Sequence, residues 1–350
     1  MPSLAHQQEI ITAGINAPSA DNSQPMLYAW QENQLQLWID TTRAGKASDN
    51  RWVLADIALG AVIENCIIAA NALGYQHTCH YFPDDTDDSH VANITFEESE
   101  SAPNGALAEF IDKRCTDRRL PFKGKIAVEE LQQLAQSIEE TSCKLTYDLV
   151  SFGNRPPALP VITKAESIRF KSKILHQELF STVNFNNTHA VEGMPVEVLA
   201  IEKPALPMFK LLSSWKWMNR LNKIGAHKML GIRSVYLPII TSPALCLLSI
   251  SDNERESVIE GGRSFQRVWL KATEMGMSLQ PYAAPGIFSL GFVACEDVFK
   301  PDMATIAEMM QQLKHPESGF GLMYFRLGRN GNVKHRTKRR PLATFLKYPA

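Results

Sequence analysis

Residues 51–74, R-W-V-L-A-D-I-A-L-G-A-V-I-E-N-C-I-I-A-A-N-A-L-G, are apolar nearly all round, which predicts a helix that the rest of the chain must enclose. The stretch is long enough to cross a bilayer, but Asp56, Glu64, Asn65 and Asn71 lie inside it and are costly in lipid. A buried core helix is therefore expected. A second helix with the same ending starts at Gly261 and reads G-G-R-S-F-Q-R-V-W-L-K-A-T-E-M-G-M. Laying Gly74 on Gly276 also matches Gly60 with Gly262 and Ala70 with Ala272. The matches point to an internal repeat; equally, Gly and Ala recur in any two buried helices, and three identities leave both readings open.

The remaining pattern is mixed. Residues 7–16 read as a short helix, 26–30 and 34–39 as a hairpin turning at Glu32-Asn33, and 76–82 with 90–96 as two more strands. An acidic, turn-rich stretch at 83–89 and a linker at 99–105 precede a helix expected from Ala106. Further on come a helix at 128–139, a strand at 144–150, a break at Pro156, Pro157 and Pro160, a helix at 302–313 and a strand at 321–327. Strands and helices do not alternate steadily, so the class expected is α+β, and no G-x-G-x-x-G follows a strand.

Charge and cysteines narrow the function. A net charge of −1 gives no whole-chain pull toward nucleic acid or membrane. Six cysteines without a C-x-x-C pair argue against a metal site and a disulfide scaffold, and favour a reducing compartment. No basic segment followed by an apolar core opens the chain, so a cytoplasmic location is expected.

Two short motifs carry the chemistry. Residues 17–25 read A-P-S-A-D-N-S-Q-P and residues 114–122 read R-C-T-D-R-R-L-P-F. Alone, the first is a helix-terminating turn and the second a solvated basic face that could pair with Asp112 and Asp117. Together they resemble the flavin-dependent nitroreductase family, whose basic R-R-S-x-R-R-x-F segment comes first and whose A-P-S-x-x-N-x-Q-P-W segment follows. Here the order is inverted. Ordinary family members are homodimers in which one subunit's basic segment holds the flavin phosphate while the other's loop covers the ring. The inversion resembles two such subunits fused into an intrachain pseudo-dimer with one composite site. The halves would be residues 1–104 and 105–350, each nitroreductase-like, and the glycine-bearing helices would pack against each other as the family's long central helices do.

The resemblance implies FMN as cofactor and assigns residues to it. Arg114 and Thr116 match the phosphate and ribityl ligands, and Arg118 the cation at the ring's pyrimidine edge; Cys115 stands where arginine or histidine is common. Pro18, Ser19, Ala20 and Asn22 match residues lying against the ring, and Met26 replaces the family tryptophan. Near the end, K-H-R-T-K-R-R at 334–340 matches a segment that closes on the phosphate, through Lys338 and Arg340. Small residues in L-Q-P-Y-A-A-P-G, namely Ala283, Ala284 and Gly286, match a stretch whose main chain touches the ring.

No catalytic side chain and no metal are implied, because flavin would carry the redox step. The implied reaction is ping-pong hydride transfer from NAD(P)H to a nitroaromatic, quinone or similar small acceptor. Residues 184–243 depart most from a compact family member. Their E-G-M-P-V-E-V-L run resembles a lid in a fused branch of the family, and 208–230 form an acid-free amphipathic stretch that would equally suit a membrane surface. A lid that shuts out nicotinamide would instead make the chain an FMN-sequestering protein. Lone histidines, including His176, His189 and His227, are read as structural.

Overall fold

Ser3 starts the first helix, α1 (Leu4–Ile15), by accepting the His6 amide on its hydroxyl at 3.2 Å. The computed structural model describes residues 1–49, 51–100, 105–151, 153–293, 297–313 and 319–348; part of the linker expected at 99–105 lies outside them. After α1 come β1 (Met26–Gln31) and β2 (Gln34–Ile39), joined at Glu32-Asn33 with Glu32 left-handed (φ 53°). The all-apolar segment is α2 (Val53–Ala72), followed by β3 (Tyr75–Tyr81) and β4 (His90–Glu98). The helix expected from Ala106 is only a short 3-10 turn, Ala108–Phe110. Next are α3 (Val128–Gln136) and β5 (Lys144–Leu149).

A long insert then leaves the sheet. It holds α4 (Leu159–Lys171), α5 (Lys173–Ser181), a two-residue parallel pair β6 (Val183–Asn184) and β7 (Met194–Pro195), then α6 (Leu206–Leu212), α7 (Trp215–Asn222), α8 (Ala226–Gly231) and α9 (Leu237–Ile240). The chain re-enters the core as β8 (Ala244–Ile250), α10 (Arg255–Glu274) and β9 (Ser278–Tyr282). It continues as α11 (Ala284–Ser289), α12 (Lys300–Gln312) and β10 (Phe320–Gly328).

The class is α+β, and one unit is built twice. The first sheet has strand order β1-β2-β4-β3 and the second β5-β8-β10-β9, with every pair antiparallel. In each, the long helix links the second and third strands of the chain. The two-residue turn of the first unit is replaced in the second by the insert, which therefore starts near residue 150, earlier than the 184 expected from sequence.

The long helices pack on each other through glycine. A Cβ on Gly60 would lie 2.1 Å from the Ile259 carbonyl oxygen, and one on Gly262 would lie 2.3 Å from that of Ile57. Gly74 (φ 84°) and Gly276 (φ 69°) follow the two helices in left-handed backbone. Two of the polar residues that disfavour lipid are paired across this seam: Asp56 takes two bonds from Arg255 at 2.9 and 2.8 Å, and Asn65 Oδ1 accepts from Gln266 at 2.7 Å. Although α2 is long and apolar enough to span a membrane, 94% of its most apolar window is buried inside the protein.

The C-terminal tail leaves β10 and returns to the first unit. Phe345 is fully buried in that unit's core beside Tyr28, and the Lys347 amide donates to the Tyr28 carbonyl at 2.9 Å.

Candidate functional site

The loop after α1 holds Asp21 (φ 50°), Asn22 (φ 56°) and Gln24 (φ 52°) in left-handed backbone, which non-glycine residues keep only where surroundings fix it. Ser19 Oγ accepts the Gln24 amide at 3.0 Å. Asn22 Nδ2 donates to the carbonyls of Val191, Gly193 and Lys338 at 3.3, 3.1 and 3.2 Å. Gln24 Nε2 donates to the Val191 carbonyl at 2.8 Å, and its Oε1 accepts the Arg340 amide at 3.0 Å. The loop is thus clasped to the insert and to the tail.

Residues 114–118 approach from the second unit, where Thr116 bridges Leu279 at the edge of β9 and the Asp117 amide donates to the Leu279 carbonyl at 3.0 Å. The Arg114 guanidinium lies 4.5 Å above the Trp269 ring of α10 and donates Nη2 to the Asn16 carbonyl at 3.0 Å. Its Nε is buried with no partner among the described residues. From the tail, Arg339 donates to the carbonyls of Ile15 and Ala17 at 2.9 and 3.0 Å and to Asn22 Oδ1 at 2.8 Å. Arg336 donates to the Arg114 carbonyl at 2.5 Å.

These segments enclose a cavity of about 200 Å³. Pro18, Ser19 and Asn22 line it from the first unit, and Arg114, Cys115, Thr116 and Arg118 from the second. The insert adds Met194 and Val198, and the tail adds Arg336 and Arg339. Seven of the residues expected from sequence therefore meet at one place, although they lie nearly a hundred positions apart.

The cavity is electrostatically unbalanced. Burial lowers the Arg114 guanidinium to about 9, with Arg339 and Arg336 adding repulsion. Burial and Arg336 likewise lower Arg339 to about 10. Arg118 is lowered by burial, with the Asp21 carboxylate opposing the shift, and donates to the Val198 carbonyl at 3.4 Å. Two acids also line the cavity, Asp21 and Asp112, the latter accepting the Asn16 side-chain amide at 2.7 Å, while Asp117 pairs with Arg119 at 2.7 Å. Clustered guanidinium groups without ion-pair partners among the described residues fit a doubly charged phosphate, which accepts their forked donors.

Other expected residues sit differently. Ala20 begins the 3-10 turn Ala20–Asn22 without lining the cavity. Lys338 reaches His189 Nδ1 at 3.2 Å, and Arg340 lies 4.3 Å above the Phe345 ring while bonding the Gln24 carbonyl at 2.9 Å. Ala283, Ala284 and Gly286 do not line it either. Gly286 answers to packing, since a Cβ there would come 2.3 Å from the Leu322 carbonyl oxygen. Sequence reasoning missed Arg336, Arg339, Met194 and Val198. The basic run and the E-G-M-P-V-E-V-L run were visible, but an irregular chain has no period from which to read facing residues.

The expected helix at 208–230 is three short helices, interrupted at Ser213-Ser214 and at Gly225 (φ 89°). Trp215 packs on His176 at 5.2 Å, whereas Trp217 is 41% exposed. Neither tryptophan lines the cavity. His176 Nε2 bonds the Leu212 carbonyl at 2.8 Å, a structural tie inside the insert.

No protein-family model matches the chain. Among curated proteins it is similar to a Mycobacterium tuberculosis chain named "Putative NAD(P)H nitroreductase acg", 25% identical over 287 residues, covering 79% of this chain and 81% of that one. A second M. tuberculosis chain of the same description is 22% identical over 285 residues, covering 81% and 78%. Among solved structures, a putative nitroreductase from Anabaena variabilis covers 94% of this chain and 89% of its own, at 9% identity and a TM-score of 0.47. The FMN-dependent nitroreductase NfnB from Mycobacterium smegmatis, solved with NADPH, covers 69% and 97%, at 13% identity and a TM-score of 0.36.

Proposed function

We propose that this relative of the nitroreductases holds one FMN between its two units and passes hydride from NAD(P)H to a nitroaromatic, quinone or similar small acceptor. The observation that carries the reading is the cluster of buried Arg114, half-buried Arg339 and exposed Arg336, free of carboxylate partners among the described residues and set against the loop of the other unit.

Each side chain then has a task. Arg114, Arg336 and Arg339 would hold the phosphate, with Thr116 supplying a hydroxyl to the ribityl chain. Arg118 would place positive charge near the pyrimidine edge, which favours the anionic reduced ring. Pro18, Ser19 and Asn22 would form the wall from the first unit, and Met194 and Val198 would exclude water. Bound FMN supplies the two-electron chemistry, so no acid or base side chain is required.

One site per chain follows from what the repeat lacks. The first unit has residues 16–25 between α1 and β1, whereas the second has only residues 137–143 between α3 and β5. The basic segment is likewise present once. We read the chain as an intrachain pseudo-dimer, residues 1–104 forming one half and 105–350 the other, with the tail as a strap between them. The cysteines at 66, 79, 115, 143 and 246 are free thiols, which suits a reducing, cytoplasmic setting.

Anaerobic mixing of the purified yellow protein with NADH or NADPH tests the reading. Rapid bleaching of the flavin and reoxidation by a nitroaromatic or quinone are expected. A chain that binds FMN and resists bleaching by both nucleotides would be a flavin store.

A further inference from the structure

A second cavity, of about 730 Å³, lies where α4 meets the end of the insert, and it shares no lining residue with the first. Its volume falls within the range of small-ligand sites. Leu159 and Ile168 of the α4 side face Ile232 and Tyr236, giving the cavity apolar walls. Residues Ile232–Tyr236 form a π-helical turn, an uncommon geometry that recurs at functional sites.

Charge is distributed unevenly around these walls. Among the described residues Asp302 is the one carboxylate lining the cavity, and it is held by Lys164 at 2.9 Å and Lys171 at 2.8 Å. Arg155 stands 5.9 Å from the Tyr236 ring, and neither it nor Lys228 forms an ion pair among the described residues. His227 Nδ1 is buried there without a hydrogen-bond partner. An apolar hollow with surplus cations and an unmatched polar atom complements a ligand that is greasy at one end and negative at the other.

We propose that this cavity binds an amphiphilic monoanion, with its one carboxylate at Arg155, away from Asp302, and an aliphatic or aromatic body running past Tyr236 and Ile232 toward Ile168. The site is independent of the flavin assignment.

Calorimetric titration of the full FMN-loaded chain with dodecanoate and with dodecanol, both below their aggregation limits, tests this. One dodecanoate per chain is expected, bound at least tenfold more tightly than the alcohol. Arg155→Ala alters an exposed position, so folding should be unaffected; it should weaken dodecanoate at least tenfold and leave dodecanol unchanged. Thr163→Trp should fill the hollow and remove both. Equal affinity for acid and alcohol, no dodecanoate binding, or full binding by a folded Thr163→Trp chain would each overturn the proposal.

Discussion

Arg114 and Arg340 are both nearly inaccessible, at 7% and 9% exposure, yet their surroundings assign them different work. Arg114 sits among like charges with one nitrogen unmatched, whereas Arg340 bonds a carbonyl and covers Phe345. Arg114→Ala and Arg339→Ala should each weaken FMN by about ten- to a hundredfold, the loss of a charge-assisted contact of roughly 1.5–3 kcal/mol. Arg340→Ala should change FMN affinity by less than about threefold while lowering the melting temperature, both read by fluorescence titration and thermal denaturation. Arg118→Ala should lower the flavin midpoint potential more than it lowers affinity, which a redox titration reads. Arg114 was legible because it stands in a motif; Arg339 was not, because its neighbour Arg340 has the same chemistry and only the path of the tail separates them. Burial also moves acids. Asp49, which accepts the Leu54 and Ala55 amides at the start of α2, is pushed up to about 7 by burial, with Asp56 adding to the shift. A carboxyl raised when folded binds more protons folded than unfolded, so stability falls as pH climbs from about 4 through 7. Asp49→Asn should flatten that slope, leaving a variant relatively more stable at pH 8 than at pH 5 by a few kcal/mol in urea denaturation.

Among the strands, those whose burial alternates were readable, and buried β10 was read as well, whereas buried β8 was not. The first-unit hairpin and its strands appeared at nearly their observed bounds because their residues alternate in burial, as in β3 and β4. Strand β8, A-L-C-L-L-S-I, is buried at all seven positions and offered no alternation to read. The insert was legible as a departure from a compact relative, but its start and its broken helices depend on Ser213, Ser214 and Gly225 interrupting an amphipathic run. Its contact with the cavity comes from Met194 and Val198, just after the Val191 and Gly193 carbonyls that the Gln24 and Asn22 side-chain amides clasp, rather than from the amphipathic helices. Gating should therefore respond to the clasp. Gln24→Ala removes the bond to Val191 and the acceptor for the Arg340 amide, so anaerobic flavin reduction by NADPH should accelerate at least threefold. An unchanged rate, with faster amide exchange at 191–198, would show that this segment opens without limiting turnover.

For the whole molecule, the pairing of α2 with α10 decides whether the repeat is a real symmetry. Under the alignment that lays Gly60 on Gly262, Ile57 falls on Ile259, Glu64 on Gln266 and Asn65 on Arg267. The contact of Gly60 with the Ile259 carbonyl then has the contact of Gly262 with the Ile57 carbonyl as its mate. The Asn65–Gln266 bond, likewise, has the Glu64–Arg267 bond as its mate. Reciprocal contacts of this kind are the signature of an isologous interface, here within one chain. The same strand order on both sides of the seam is what such a symmetry requires, and three identities in the sequence could only hint at it. The seam gives a direct test. Gly60→Ala and Gly262→Ala each place a methyl carbon inside a backbone carbonyl's contact distance, so each should force the helices apart and destabilise by roughly 1–3 kcal/mol. Because the two contacts share one helix separation, the double variant should cost clearly less than the two single costs together, as measured by urea denaturation. Additive costs would mean that the two glycines sit at independent contacts. Since the FMN phosphate would be held by residues from both sides of this seam, the single variants should also lose FMN affinity, although neither glycine lines the cavity.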